Sequence, residues 1–329
     1  MPRSLIVLPD ESAKPILDAI AAARTSLRVK MFVFSDPELL QAVIAAHVRG
    51  VKVQVMLNPA RRDGEDDNQA ARQSLLDAGI EVKDSSPDFG ITHEKSMTVD
   101  DSLAFVKSLN WATENLTETR DYAVITSHPH EVAEITACFE ADWHRESFKP
   151  GDCAHLIWCP VNGRDRIARF IDAAKETLFI QNERYQDTVI IERLVRARER
   201  GVTIHIMAKP PHTLKKDKLV EGVGGMRIMN DVGIKVHKLK HLKLHGKMLL
   251  ADCSRAIVGS INLAPGSFDD RRELAIEIGD DDVVERLHKV AHHDWKNSHA
   301  LDLSDAGLMA DLEKRGGGGE QLVLRDHDE

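Results

Sequence analysis

His93 and Lys95 stand two residues apart, and so do His245 and Lys247. In an extended chain residues i and i+2 share a face, so each pair is expected to project into one pocket. Each pair is followed at matching distances by a serine and an asparagine, Ser108 and Asn110 in one case, Ser260 and Asn262 in the other. A basic–acidic dipeptide then follows, Arg120-Asp121 and Arg272-Glu273. These residue types suit the splitting of a phosphodiester. That reaction needs a nucleophile, a proton donor for the leaving oxygen, and positive or hydrogen-bond-donating groups around the equatorial phosphoryl oxygens. Histidine can fill either of the first two roles, lysine supplies charge, and an asparagine amide can donate to the same oxygens.

One His-x-Lys carries little information, but this one belongs to a repeat that runs through most of the chain. Leu5-Ile6-Val7-Leu8-Pro9 corresponds to Leu156-Ile157-Trp158-Cys159-Pro160, and residues 50–56 correspond to 201–207, at an offset of 151. From His93/His245 to Trp143/Trp295 the offset is 152 without a gap. Slippage is confined to segments 59–92 and 210–244, where loops absorb insertions. Within each half, short β-branched runs alternate with amphipathic stretches such as 13–24, 38–48, 167–175 and 189–199. That alternation predicts an α/β fold, a sandwich with a central mixed sheet in each repeat. Gly50 and Gly201 fall where a helix C-terminus favours glycine. Segments 131–143 and 283–295 read as matching terminal helices whose tryptophans, Trp143 and Trp295, belong to the core. Residues 1–150 and 151–299 are thus expected to form two repeats. Residues 300–329, with glycines 316–319 and a charged end, are expected to be a flexible tail.

The doubled pattern His-x-Lys-x4-Asp-x6-Gly-Ser-x-Asn, with the repeat around it over about residues 4–297, resembles the signature of the phospholipase D superfamily. The resemblance implies two tandem α/β/α sandwich repeats with mixed central sheets about a pseudo-twofold axis, together building one active site. It implies metal-independent hydrolysis of a phosphodiester, or its transfer to an alcohol, on the phosphatidyl group of a phospholipid. His93 is then the nucleophile that becomes a phosphohistidine. His245 is the general acid that later deprotonates water or the acceptor alcohol. Lys95, Lys247, Asn110 and Asn262 would hold the phosphate with no metal and no cofactor. In this family carboxylates orient the histidines by accepting a ring hydrogen bond. Glu273 matches that position, and Asp121, one methylene shorter, occupies it in the first half as the expected support of His93. Ser108 and Ser260 are supporting residues. Asp100 and Asp252 lie an odd five residues after their lysines, so they should face away and serve as structural support. Lys107 stands where the family has glycine, and it either distorts the turn into Ser108 or adds a cation at the pocket rim.

Composition bounds the partners. Hydrophobic residues make 42% and charged residues 29%, and the net charge of −9 does not advertise a general polyanion binder. Basic character is local: residues 201–250 hold ten Lys/Arg against three acids. Segment 235–244, running into His245, reads either as a strand edge guarded by lysines or as a cationic approach for an anionic substrate. Lys209, Lys215, Lys216 and Lys218 on a neighbouring loop favour the second. Asn182, Glu183 and Lys243 are candidate substrate contacts. With aromatic residues at 5%, no stacking platform for single strands is legible. Cys138, Cys153, Cys159 and Cys253 include no Cys-x-x-Cys pair and read as reduced structural thiols, with Cys253 buried on a strand. The N-terminal apolar stretch is too short for a secretory segment, and no run approaches the roughly 20 residues that cross a bilayer. The expected setting is the cytoplasm, with peripheral membrane contact at most and no obligate protein partner. The substrate is a phospholipid head group or nucleic acid. A nuclease or other phosphodiesterase is the alternative within the superfamily. A phosphate-ligand-binding pseudoenzyme, suggested by Lys107 and Asp121, is the alternative outside it.

Overall fold

A computed structural model of the chain describes residues 3–59, 67–214 and 219–315. In the first half the elements run β1 (Ser4–Leu8), α1 (Lys14–Ala22), β2 (Ser26–Met31), α2 (Pro37–Val48), β3 (Lys52–Leu57), α3 (Gln69–Asp77), β4 (Glu81–Asp84), β5 (Ile91–Thr92), β6 (Ser96–Val99), β7 (Leu103–Lys107), α4 (Thr113–Thr117), β8 (Thr119–Thr126) and α5 (Pro129–His144). The second half repeats the plan with β9 (Leu156–Cys159), α6 (Gly163–Asp172), β10 (Thr177–Gln181), α7 (Thr188–Glu199), β11 (Thr203–Met207), α8 (Leu219–Asp231), β12 (Val236–Leu239), β13 (Lys243–Leu244), β14 (Met248–Ala251), β15 (Arg255–Gly259), α9 (Pro265–Asp269), β16 (Arg271–Ile278) and α10 (Asp281–Lys296). Two further elements, β17 (Ser298–Ala300) and α11 (Asp305–Leu312), close it.

The sheets are mixed, as expected. In the first the order is β1-β8-β7-β6-β2-β3-β4, with β2, β3 and β4 parallel. In the second it is β17-β12-β11-β10-β14-β15-β16-β5, with β10, β11 and β12 parallel and β9 added on β16. Alternation along each strand assigns its residues to two cores. In β1, Ile6 and Leu8 join the core under the helices of their own half, whereas Leu5 and Val7 join a core shared by both halves. That shared core brings together Val106, Tyr122 and Val124 from one sheet, Trp158, Phe179, Val258 and Leu274 from the other, and residues of α5 and α10.

Each half also lends the other a short strap. The dipeptide β5 pairs in parallel with Arg271 and Arg272 of β16, and β13 pairs in parallel with Thr119 and Arg120 of β8. The straps lie immediately before His93 and His245. The His-x-Lys tripeptides are consequently not on continuous strands; they bridge a strap held by one sheet and a strand (β6 or β14) of the other.

Three expectations change. Segment 235–244 is not an edge: β12 lies between β11 and β17, because the chain returns after α10 to cover it. For the same reason the segment expected as a tail is partly built in, since β17 pairs with β12 and Leu303 is buried in the second-half core. Residues 316–329, including the glycine run, lie outside the described residues. Cys253 is exposed in the β14–β15 turn, where Asp252 and Cys253 both have positive φ (51° and 50°). Asp100 and Asp101 match them in the β6–β7 turn (52° and 50°). Each aspartate fastens that turn to the start of a parallel strand. Asp100 accepts from the backbone N–H groups of Arg24, Thr25 and Ser26, and Asp252 from those of Lys175, Glu176 and Thr177. All four cysteines are free.

Candidate active site

The straps and the β8 and β16 carbonyls place the two histidines. The N–H groups of His93 and Glu94 both donate to the Arg272 carbonyl, at 2.9 Å each, and those of His245 and Gly246 to the Arg120 carbonyl, at 3.4 and 2.7 Å. The residue after each arginine then meets the histidine of the opposite half. His93 Nδ1 donates to Glu273 Oε2 at 2.9 Å, and His245 Nδ1 donates to Asp121 at 2.9 and 3.0 Å. The expectation that Asp121 supports His93 is therefore corrected: support is crossed. Register decides this, because hanging each His backbone from the opposite β8 or β16 sets it beside that strand's next side chain. The shorter aspartate reaches His245 and is itself fixed by Ser108 Oγ (2.5 Å) and Thr119 Oγ1 (2.6 Å). Ser260 Oγ instead donates to the Leu274 carbonyl at 3.3 Å.

The arginines extend the crossing. Arg120 Nε and Nη2 bind Asp294 of α10 at 2.9 Å each, and Arg272 Nε and Nη2 bind Asp142 of α5 at 3.1 and 2.9 Å. All four residues are buried. Asp142 and Asp294 were legible as residues at the same 152 offset, directly ahead of Trp143 and Trp295, but only their positions point to them.

With Nδ1 of each ring engaged by a carboxylate, Nε2 is left for a large cleft that both histidines line together with Asn110, Asn262, Phe32, Glu183 and Lys209. The side-chain oxygens of Asn110 and Asn262 are buried and have no partner among the described residues; the donors that suit a phosphate oxygen are the NH2 groups of the same amides. Lys95 and Lys247 lie buried behind the histidines. Lys95 Nζ donates to the His93 carbonyl at 2.7 Å, Lys247 Nζ donates to the His245 carbonyl, and Lys247 also pairs with Glu183 at 2.5 Å.

The electrostatics follow from this packing. Burial, then the Lys95 charge, push His93 down to about 3 against the pull of Glu273, so its ring is neutral near neutral pH. Burial also lowers His245, but here two anions, Asp121 and Glu183, oppose it. Lys95 falls well below the ordinary lysine range through burial and the nearby Lys247. Burial pushes Asp121 and Glu273 up, yet their histidine partners hold both below the usual carboxylate range. An entering phosphate anion would stabilise the protonated form of Lys95, which is what a phosphate site requires.

Other expected site residues fall elsewhere. Asn182 is fully buried; its amide donates to the Ile261 carbonyl and its oxygen accepts from the N–H groups of Arg184 and Leu263, so it braces the loop behind the residues that line the cleft. Lys243 borders the cleft but is tied to Glu114 at 2.7 Å and Glu118 at 2.8 Å. Lys209 pairs with Glu183, and Lys215, Lys216 and Lys218 lie outside the described residues. Glu94, Cys138 and Asp142 converge closely enough to suggest a metal. The Lys30 ammonium already fills that position, 2.9 Å from Glu94 and 2.7 Å from Asp142.

Lys107 neither strains a turn nor reaches the rim. It ends β7 with a negative φ; its fully buried Nζ has no hydrogen-bond partner among the described residues and sits 4.4 Å from the Trp111 ring centre. Its counterpart Gly259 has no such room, because a Cβ there would come within 2.4 Å of the Ala275 Cα. Burial holds the Lys107 amine well below its ordinary range. Lys107→Met is expected to stabilise the fold by about 1–3 kcal/mol, the cost of a buried unsatisfied polar group. Denaturant midpoints test this; a midpoint below wild type would count against it.

The family model described as cardiolipin synthase, PLD-like domain, matches the chain twice, at residues 16–143 and 167–295. Cardiolipin synthase B of Salmonella typhi is 27% identical over 316 residues, spanning 82% of this chain and 75% of that protein. The mitochondrial cardiolipin hydrolase of Homo sapiens is 36% identical over 136 residues, 41% of this chain and 51% of that one. In fold, the chain is similar to phosphatidylserine synthase of Haemophilus influenzae (TM-score 0.69, 11% identity, 95% of this chain and 92% of that one). It is similar too to polyphosphate kinase of Porphyromonas gingivalis (TM-score 0.72, 17% identity, 92% of this chain), of which it spans about half, 49%.

Proposed function

Since the chain belongs to the cardiolipin synthase, PLD-like domain family of the phospholipase D superfamily and is a phosphodiesterase of that type, we propose that it cleaves phospholipid through a phosphohistidine, with no metal taking part. The observation that carries the reading is the crossed pair of histidine–carboxylate contacts bordering one cleft. Each holds a proton on Nδ1, which leaves Nε2 as the lone pair of the neutral His93 ring and as the second N–H of a protonated His245. His93, the neutral ring, attacks phosphorus through Nε2. The P–O bond to the leaving alcohol breaks as His245 Nε2–H gives that oxygen its proton. His245 then takes a proton from water or an acceptor alcohol; the new oxygen bonds to phosphorus, and the P–N bond breaks. Two in-line displacements leave the configuration at phosphorus retained. Lys95, Lys247 and the two asparagines supply the cationic and hydrogen-bonding surroundings that a metal would otherwise provide.

Phospholipid is favoured as substrate because both protein relatives above are named for cardiolipin. No described helix is long and apolar enough to cross a membrane, and a cytoplasmic enzyme meeting lipid peripherally fits that. The test offers phosphatidylcholine, phosphatidylglycerol and cardiolipin vesicles beside single- and double-stranded nucleic acid, with and without chelator, using His245→Ala as control. Chelator-resistant release of the lipid head group is expected. Cleavage of nucleic acid alone would establish the nuclease reading, and binding without turnover the pseudoenzyme.

A further inference from the structure

The two halves differ at a pair of equivalent positions beside the histidines. Phe34 bridges to Trp111, and at the matching point of the second half Tyr185 bridges to Leu263. Two residues before each bridge stand Phe32 and Glu183. Phe32 packs edge-on against His93, ring centres 4.8 Å apart, and lies 5.0 Å from Lys95 Nζ. Glu183, almost buried, puts its carboxylate 3.9 Å from His245 Nε2 while pairing with Lys247 and Lys209. One reactive nitrogen thus has an apolar ring as neighbour and the other an anion.

We propose that Phe32 and Glu183 break the symmetry of the site, making His93 the nucleophile and His245 the proton donor. The charged groups around each ring support the division. His93 faces Glu273 with Lys95 and Lys247 nearby, a cationic surplus that favours the unprotonated ring. His245 is lowered by burial and by Lys247, but two carboxylates, Asp121 and the Glu183 that Lys209 also holds, pull it back toward the imidazolium, where His93 has only one. A phosphate arriving at Lys247 would draw that ammonium from Glu183 and leave the carboxylate to Lys209 and His245. Glu183 is thus a positioning residue: it acts through His245 and takes no part in bond making.

This inference rests on the phosphohistidine reading, and the test separates the two. Wild type, Glu183→Gln and Glu183→Asp are compared on phospholipid, whose alkoxide must be protonated, and on bis(p-nitrophenyl) phosphate, whose leaving group needs little help. Glu183→Gln is expected to slow phospholipid cleavage about ten-fold or more and the aryl ester by less than about two-fold. The alkaline limb of kcat/KM should move to lower pH, Glu183→Asp should restore it, and the trapped phosphate should remain on His93. Equal losses on both substrates with an unmoved pH profile, or label on His245, would overturn the inference. Absence of any phosphohistidine in the wild type would instead overturn the reading beneath it.

Discussion

Replacing His93 by alanine is expected to lower turnover on every substrate by about 10⁴-fold or more, because it removes the neutral imidazole that lines the cleft with its tautomer fixed by Glu273. Acid catalysis, by contrast, is worth about 10²–10⁴. His245→Ala should therefore be crippled on phospholipid yet recover much of its rate on an aryl phosphodiester that expels its leaving group unaided. Covalent label is the sharper readout. Rapid acid quench of His245→Ala with labelled aryl ester should yield phosphohistidine, since attack is intact and breakdown has lost its base. The same experiment on His93→Ala should yield none, and undiminished label there would move the nucleophile to another residue.

Asp142→Ala is expected to destabilise the protein by about 3–5 kcal/mol, the cost of leaving buried charges unpaired. Two cations depend on this carboxylate, Arg272 through both Nε and Nη2 and Lys30 at 2.7 Å. Its counterpart should matter less. In Asp294→Ala, Arg120 keeps the Leu8 carbonyl at 3.0 Å and Asp10 at 2.9 Å. Thermal melting should fall on the order of 10 °C in the first variant and clearly less in the second. Equal losses would show that the two clamps are equivalent after all. Activity should fall with stability in Asp142→Ala, since the Arg272 backbone carbonyl suspends His93 and the next side chain is Glu273.

Much of this was legible in the sequence because it is linear information. The duplication, the His-x-Lys pairs, the asparagines and the α/β alternation all follow from spacing. The crossing was not legible, since Asp121 and Glu273 occupy equivalent positions and nothing in their spacing tells which histidine each meets. Packing between halves decides that. Asn182 and Glu183 illustrate the same limit at the scale of one residue: neighbours in the chain, one turns inward to brace a loop and the other outward to the site. Lys243 read as a free cation because Glu114 and Glu118, which hold it, are more than a hundred residues distant. The segment after residue 300 read as tail because of its glycine run and charged end, whereas its first part is anchored by β17 just before it, by the buried Leu303 and by Asp311, which accepts from His212.

The straps β5 and β13, each given by one half to the sheet of the other, have a consequence for ancestry and design. Two identical subunits swapping such segments would form an isologous pair, and any substitution would then appear on both sides of the reaction centre at once. A glutamate introduced to assist one imidazole would equally burden the other. Joining the copies in one chain lifts that obligation. Each can be altered independently, and a reaction with an intrinsic direction can be performed by a scaffold whose geometry has none.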